Sequence, residues 1–300
     1  MVEFTHVLCP IDFSDTSVRA LTYAAAFACW YDAHLEILHA SPAVDGDGDT
    51  TTPDEPDAPA DAGTRDVLTA RARQAFATLG ATGREPDVVI QRGPAHEVIA
   101  RRARDARADL LVIGTHGRGG FNRLLLGSVA EKVLRQVSCP ILTVPPAAPA
   151  ATTAAATFKR IVCALDYSPA SLRALRYALE LGRQANGRVT VVYALEYMDP
   201  DEPCEHVDFD IRQRREHFLD HARARLHAQL TGEPTTWCEI EEVVVVDRAY
   251  RAVLKQAATA RADLIVMGAQ GLNGLALMLY GSNTQHVVRS SVCPVLTVRA

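Results

Sequence analysis

A short glycine pattern occurs twice in this chain. Gly114-Thr115-His116-Gly117, nine further residues and Gly127-Ser128 return as Gly268-Ala269-Gln270-Gly271, nine residues and Gly281-Ser282, at an offset of 154 positions. The offset holds throughout. Val7–Asp12 (VLCPID) matches Ile161–Asp166 (IVCALD), Ala106–Leu110 (ARADL) matches Ala260–Leu264, and Cys139–Val144 (CPILTV) matches Cys293–Val298 (CPVLTV). Two related units of about 140 residues follow, each long enough for one hydrophobic core. Pro145–Thr157 is rich in Pro and Ala and carries no charge. It reads as a connector, semi-rigid in its proline part. The expected division is 1–145, a linker of 146–158, and 159–300.

Within the first unit, apolar runs at His6–Ile11, Leu35–His39, Asp87–Gln91, Leu110–Ile113 and Ile141–Val144 alternate with helical spacing over Ser14–Tyr31, Arg65–Leu79, Ala95–Arg107 and Ser128–Gln136. Such alternation predicts an α/β fold: two tandem open, twisted, mainly parallel five-stranded sheets with helices on both faces. In sheets of this kind ligands bind beyond the carboxyl ends of the strands, where the winding reverses. Asp12 and Asp166 follow the first strand of each unit and the Gly motifs follow the fourth, so both fall on that edge. Pro42–Gly63 is dominated by Asp, Gly, Thr and Pro and is expected to be irregular. Asp45, Asp47 and Asp49 in it have the spacing of a calcium loop. Thr50 and Pro56 stand where that loop needs Gly and Glu, so calcium is not expected.

Composition narrows the function. The chain is 48% hydrophobic and 22% charged, and no apolar stretch approaches the roughly 18 residues that span a bilayer. Met1–His6 shows no basic region or cleavage pattern, which predicts a cytoplasmic location. Cys9, Cys163, Cys139 and Cys293 lie in or beside apolar strands and read as reduced, buried thiols. Net charge is −5, aromatics are 6% of residues, and basic and aromatic residues are not interleaved, so nucleic acid is not an expected partner.

The Gly-x-x-Gly-x9-Gly-Ser pattern after an apolar strand, with Pro-x-Asp-x-Ser after the first strand, closely resembles the universal stress protein family, and the resemblance covers both units. It implies a tandem two-domain member with an adenine nucleotide alpha-hydrolase-like, Rossmann-like fold. It further implies a stress-response regulatory protein that binds ATP, with or without magnesium, and hydrolyses it slowly or not at all. Carried over residue by residue, the first site uses Pro10, Ile11, Asp12, Ala40, Ile113, Gly114, Gly117, Arg118, Gly127, Ser128 and Val129. The second uses Ala164, Leu165, Asp166, Ala194, Met267, Gly268, Gly271, Gly281, Ser282 and Asn283. The physics agrees with this placement, since backbone N–H groups at a helix start and in a Gly turn converge on anions without side-chain charge. Arg118 and Arg123 add donors to the first site; Leu272 and Leu277 replace them in the second, and Asn283 replaces Val129. Ser128-x-x-Glu131 and Ser282-x-x-Gln285 also read as capping boxes, and Asp12 and Asp166 as helix caps, neither needing a ligand.

Catalytic signals are sparse. The three lysines, Lys132, Lys159 and Lys255, form no phosphate-loop motif. His116 is the one base-like residue in the turn, and Gln270 replaces it in the repeat, so no catalytic residue is assigned. Cys204, His206, His217 and His221 lie within eighteen positions, with His217 and His221 four apart on a helix. Zinc accepts that spacing. A nucleotide-independent interaction protein with a structural or sensing zinc site is therefore the alternative. The family resemblance implies that Ile141–Val144 and Val295–Val298 pair to make an internal pseudo-dimer. A homodimer of chains and the protein partner stay open.

Overall fold

The structure is a computed structural model describing residues 2–42, 59–81, 83–117, 126–151, 158–196, 209–231, 238–270 and 281–300, without side chains at 59–61 and 209–215. The chain divides into two compact units, with Glu3–Ala154 in one and Ala155–Ala300 in the other.

The first unit runs β1 His6–Pro10, α1 Asp15–Tyr31, β2 His34–Ser41, α2 Pro59–Thr78, β3 Asp87–Arg92, α3 Ala95–Asp105, β4 Leu110–Gly114, α4 Ser128–Gln136 and β5 Ile141–Val144. The strands pair in parallel in the order β3-β2-β1-β4-β5, with Cys9 beside Ile37, Val7 beside Leu110 and Val112 beside Leu142. The second unit repeats the plan with β6 Arg160–Ala164, α5 Pro169–Ala185, β7 Arg188–Leu195, α6 Phe209–Thr231, β8 Glu239–Val246, α7 Ala249–Thr259, β9 Leu264–Gly268, α8 Ser282–Ser290 and β10 Val295–Val298. Its order is β8-β7-β6-β9-β10, again parallel. The α/β expectation is therefore met in both units. One boundary moves: α2 starts at Pro59, so the last residues of the expected irregular stretch Pro42–Gly63 are helical.

Local chemistry accounts for the helix ends. Ser14 and Ser168 cap α1 and α5 by accepting the N–H of Ser17 and Ser171, both at 3.2 Å. At the other end Asp32 (φ 54°) and Asn186 (φ 48°) take the left-handed conformation. Ala33 and Gly187 then donate back to Ala28 and Gly182, satisfying carbonyls the helix leaves open. All six non-Gly residues with positive φ among the described residues form three pairs offset by 154: Phe13 and Tyr167, Asp32 and Asn186, Arg107 and Arg261. The duplication has kept the backbone's unusual dihedrals as well as its glycines.

In the first core Val7, Leu8 and Cys9 of β1 and Ala24, Phe27 and Ala28 of α1 are fully buried, with Phe4 edge-on to Phe27 at 5.4 Å. Such burial is worth roughly 1.5–3 kcal/mol per large apolar side chain. Residues 146–151, expected to begin the linker, are in part held to α1. Arg19 Nη1 donates to Ala148 O at 2.6 Å and Tyr23 Oη to Pro149 O at 2.7 Å, and Ala148 and Ala151 are buried.

Candidate functional site

Winding reverses between β1 and β4 in the first unit and between β6 and β9 in the second, and the sequence-predicted residues gather at the carboxyl ends of these strands. Ile11 continues from β1, its N–H donating to Leu38 O at 2.8 Å, while its carbonyl meets His39 Nδ1 at 2.7 Å, next to Ala40. Leu165 repeats the bond with Val192 O at 2.9 Å, and Ala194 lies further along the same strand. Pro10 and Ala164 end β1 and β6. Ile113 and Met267, both 5% exposed, precede the first glycine of each motif.

Asp12 is the centre of the first loop. Its Oδ1 accepts the N–H of Ser14 at 3.0 Å and the hydroxyl of Ser14 at 2.6 Å, while Phe13 between them has φ 67°. Ser14 Oγ also lies 3.4 Å from His116 O, tying this loop to the Gly turn. In the second unit Asp166 Oδ1 accepts Ser168 N–H at 2.9 Å, and Ser168 Oγ lies 3.3 Å from Gln270 O. The caps are thus Ser14 and Ser168; the aspartates orient them.

The glycines are required by close approach. A Cβ on Gly114 would lie 3.0 Å from the Thr16 carbonyl carbon, and one on Gly268 would lie 2.8 Å from Ser171 N. A Cβ on Gly117 would come within 2.8 Å of Asp12 Oδ2, so the turn passes directly beside the carboxylate. Gly127 N–H closes back on Thr115 O at 2.7 Å, and Gly281 N–H on Ala269 O at 3.0 Å. The last glycine of each motif is therefore held against the residue that follows the first glycine, at the sheet edge.

The capping boxes do not form as expected. Gly127 and Gly281 occupy the N-cap positions of α4 and α8 and have no side chain to cap with; Ser128 and Ser282 are the first helical residues, both exposed. Glu131 N–H and Gln285 N–H bond to the carbonyls of Gly127 and Gly281. Gly127 and Gly281 supply no side-chain acceptor for the N–H groups opening each helix, which carry the positive end of the helix dipole. Val129 and Asn283, each second in its helix, are half-buried, and Asn283 Nδ2 donates to Glu196 Oε1 at 3.3 Å. Arg118, Arg123, Gly271, Leu272 and Leu277 lie outside the described residues.

Four features escaped the sequence reading. Phe13, in van der Waals reach of His39 (centroids 5.0 Å apart), has the Arg71 guanidinium 5.8 Å from its ring centre. Its counterpart Tyr167 packs edge-on to Tyr193 at 5.0 Å under Arg225 at 3.7 Å. Burial pushes the Tyr167 hydroxyl up to about 12, against the lowering effect of Arg225. Glu196 is the third feature, and the Glu36–Arg102 pair in the first unit is the fourth. The sequence signal for the aromatics was present, since both follow the repeated aspartate.

For zinc, His217 and His221 are exposed on α6, while Cys204 and His206 lie outside the described residues. Among the described residues no group of three or more His, Cys, Asp or Glu could hold a metal ion. The Asp45–Asp49 run is likewise outside them. Among the described residues no helix is long and apolar enough to cross a membrane.

The family model of the universal stress protein family matches residues 3–145 and 157–299. The chain belongs to the universal stress protein family. A universal stress protein of Mycolicibacterium smegmatis is 26% identical over 306 residues, covering 98% of this chain and 96% of the relative. One from Mycobacterium tuberculosis is 28% identical over 194 residues, which is 64% of this chain. That match spans 62% of the relative's length. The solved structure of a universal stress protein from Archaeoglobus fulgidus superposes with a TM-score of 0.65 at 20% identity, covering 99% of this chain and 97% of that one. At that identity the likeness shows the fold alone. The tandem organisation of this universal stress protein is thus matched along its whole length.

Proposed function

We propose that this universal stress protein is a stress-response regulator that binds ATP, with magnesium as counter-ion, at its Gly-x-x-Gly-x9-Gly-Ser turns. The observation that carries the reading is the start of α4, where the N-cap Gly127, beside Gly117 and so close to Asp12, offers no side-chain acceptor to the first N–H groups and Ser128 is exposed. Phosphate oxygens suit such a cradle because backbone donors and the helix dipole act together. Pro10, Ile11 and Ala40 would take the apolar side of adenosine, and Arg118 would add a charge-assisted donor to the phosphates. The second unit repeats the cradle with Gly281 and Ser282. Chemistry on the bound nucleotide is slow or nil in this reading. His116, whose Nδ1 meets Thr115 Oγ1 at 2.9 Å, is the base-like residue of the turn, and Gln270 in its place cannot act as one.

A second reading has its own observation. Gly114 and Gly268 are required by packing on α1 and α5 whether or not a ligand binds. A nucleotide-independent interaction protein would keep them too. Calorimetric titration of ATP into the wild type and the Gly117→Val and Gly271→Val variants separates the two. ATP binding predicts saturable heat in the wild type and loss of one site in each variant. No heat and no thermal shift in the wild type would leave the interaction reading standing.

A further inference from the structure

Each unit has an outer strand, β3 in the first and β8 in the second, and among the described residues no strand pairs with the far side of either. A bare edge invites the addition of another strand, so proteins guard such edges with charge. Gly93 N–H donates to Ser41 O at 3.0 Å on the β2 side, and strand alternation then turns the main chain of Val88, Ile90 and Arg92 outward. The first unit guards that edge. Arg65 of α2 donates from Nη1 to the outward carbonyl of Val88, and the strand finishes on Gln91 and Arg92.

The second unit has lost each guard. At the positions 154 residues on, Leu219 replaces Arg65, Val245 replaces Gln91 and Val246 replaces Arg92. The correspondence holds in the packing, since Leu68, Ala72 and Phe76 of α2 and their counterparts Ala222, Leu226 and Leu230 of α6 are all buried. Glu239 N–H donates to Gly187 O at 3.2 Å on the β7 side, so Ile240, Glu242, Val244 and Val246 turn their main chain outward. Val243–Val246 are half-buried. Their end of the strand borders an open groove of about 290 Å³, walled by Leu219 and Arg223 of α6 and by Ala252, Lys255 and Gln256 of α7.

The charge pattern of β8 selects what fits this edge. Its first half carries Glu239, Glu241 and Glu242, and its second half is four valines with the exposed cations Arg223 and Lys255 beside them. A second β8 running antiparallel brings each acidic half against the cationic, apolar half of the other. We propose that β8 is the interface of a two-fold homodimer of this chain, its two copies pairing antiparallel along this edge. Outward residues must then face outward residues. A register centred on Val243 satisfies that, setting Ile240 against the partner's Val246 and Glu242 against the partner's Val244, whereas centring on Glu242 sets like charges face to face. Glu242 meets His227 of α6 at 3.0 Å, which places it on the α6 face, and Glu241 points to the other. Glu242 therefore approaches the partner's Arg223, and Glu241 the partner's Lys255. Asp247 and Glu239, which this register brings together, are engaged within their own chains, by Arg248 N–H at 2.7 Å and by Arg188 at 2.8 Å.

Sedimentation equilibrium of the full chain from micromolar to submillimolar concentration tests the proposal. The expected result is a monomer–dimer equilibrium, abolished across that range by Val246→Arg, which restores the first unit's residue, with circular dichroism unchanged. Lys255→Glu and Glu241→Lys are each expected to weaken the dimer about tenfold, since each acts at two symmetric places. Mixed in equal amounts, these two variants are expected to dimerise with wild-type affinity, because every contact between them then joins opposite charges. Hydrogen exchange at the Ile240, Glu242, Val244 and Val246 amides slows as the dimer forms, while that at Val243 and Val245, which face β7, stays the same. A monomer at every concentration would overturn the proposal and leave the edge to an extended segment of another protein. A dimer that none of the three changes weakens would overturn it too, by placing the contact on another face. Should Val246→Arg disturb the fold, the charge-reversed pair decides alone, and failure of the mixture to recover the dimer overturns the proposal.

Discussion

Gly117 and Gly268 belong to the same motif yet tolerate a methyl group differently. At Gly268 the added Cβ meets the backbone nitrogen of Ser171 at 2.8 Å, and neither β9 nor the start of α5 can yield without moving the sheet. Gly268→Ala is expected to destabilise the second unit by about 1–3 kcal/mol, read as a lower melting temperature. At Gly117 the Cβ meets Asp12 Oδ2, the end of a side chain that can turn. Gly117→Ala is therefore expected to leave the melting temperature nearly unchanged while weakening ATP binding at the first site, because the carboxylate that holds Ser14 must shift. Equal melting losses in the two variants would contradict this contrast. That glycine was needed at these positions was legible from the repeated spacing. Which atom each glycine faces was not, since Asp12 and Gly117 lie far apart in the chain.

Elements are held by features that the repeat does not share. Glu36 of β2 is 1% exposed and accepts Arg102 Nε at 2.6 Å and Nη2 at 2.7 Å, with His6 Nε2 at 3.4 Å. Burial raises its pKa, but the Arg102 and His6 interactions outweigh that and hold the carboxyl at about 2. The folded value lies below the unfolded one. The stabilisation is therefore complete above the ordinary carboxylate range, roughly pH 4.3, and is lost as pH falls toward 2. His6 acts in the opposite sense: its polar contact with the Glu36 carboxylate at 3.4 Å raises its pKa despite burial, so its share is present below about pH 6.5 and fades as pH rises through the folded value. Position 190, the counterpart of Glu36, is a buried Thr whose hydroxyl donates to Glu241. Glu36→Gln is expected to cost about 2–3 kcal/mol at pH 7 and to flatten the acid limb of the stability curve; an unaltered limb would show that another group governs it. A lone glutamate in an apolar strand gave no hint in the sequence of a partner 66 residues away on α3.

The whole molecule is two units, each with a five-stranded parallel sheet and a core of its own. Separate chains of residues 2–151 and 158–300 are accordingly expected to show helical circular dichroism and a cooperative melt each; a broad, non-cooperative melt in either would place essential packing outside that half. The sequence by itself determined the duplication, the alternation of strand and helix, and the placing of Asp12 and the Gly turns on one sheet edge. Those properties are periodic or local, and periodicity survives in a linear string. The caps of α1 and α5 were expected at Asp12 and Asp166, and the structure places them two residues on, at Ser14 and Ser168. Only the tertiary structure decided that Gly127 rather than Ser128 occupies the α4 cap, that Pro149 is bonded to α1, and that Glu196 meets Asn283 across 87 residues. Such contacts depend on how the crossovers stack their helices on the sheet, and no residue spacing encodes a distance that the fold itself creates.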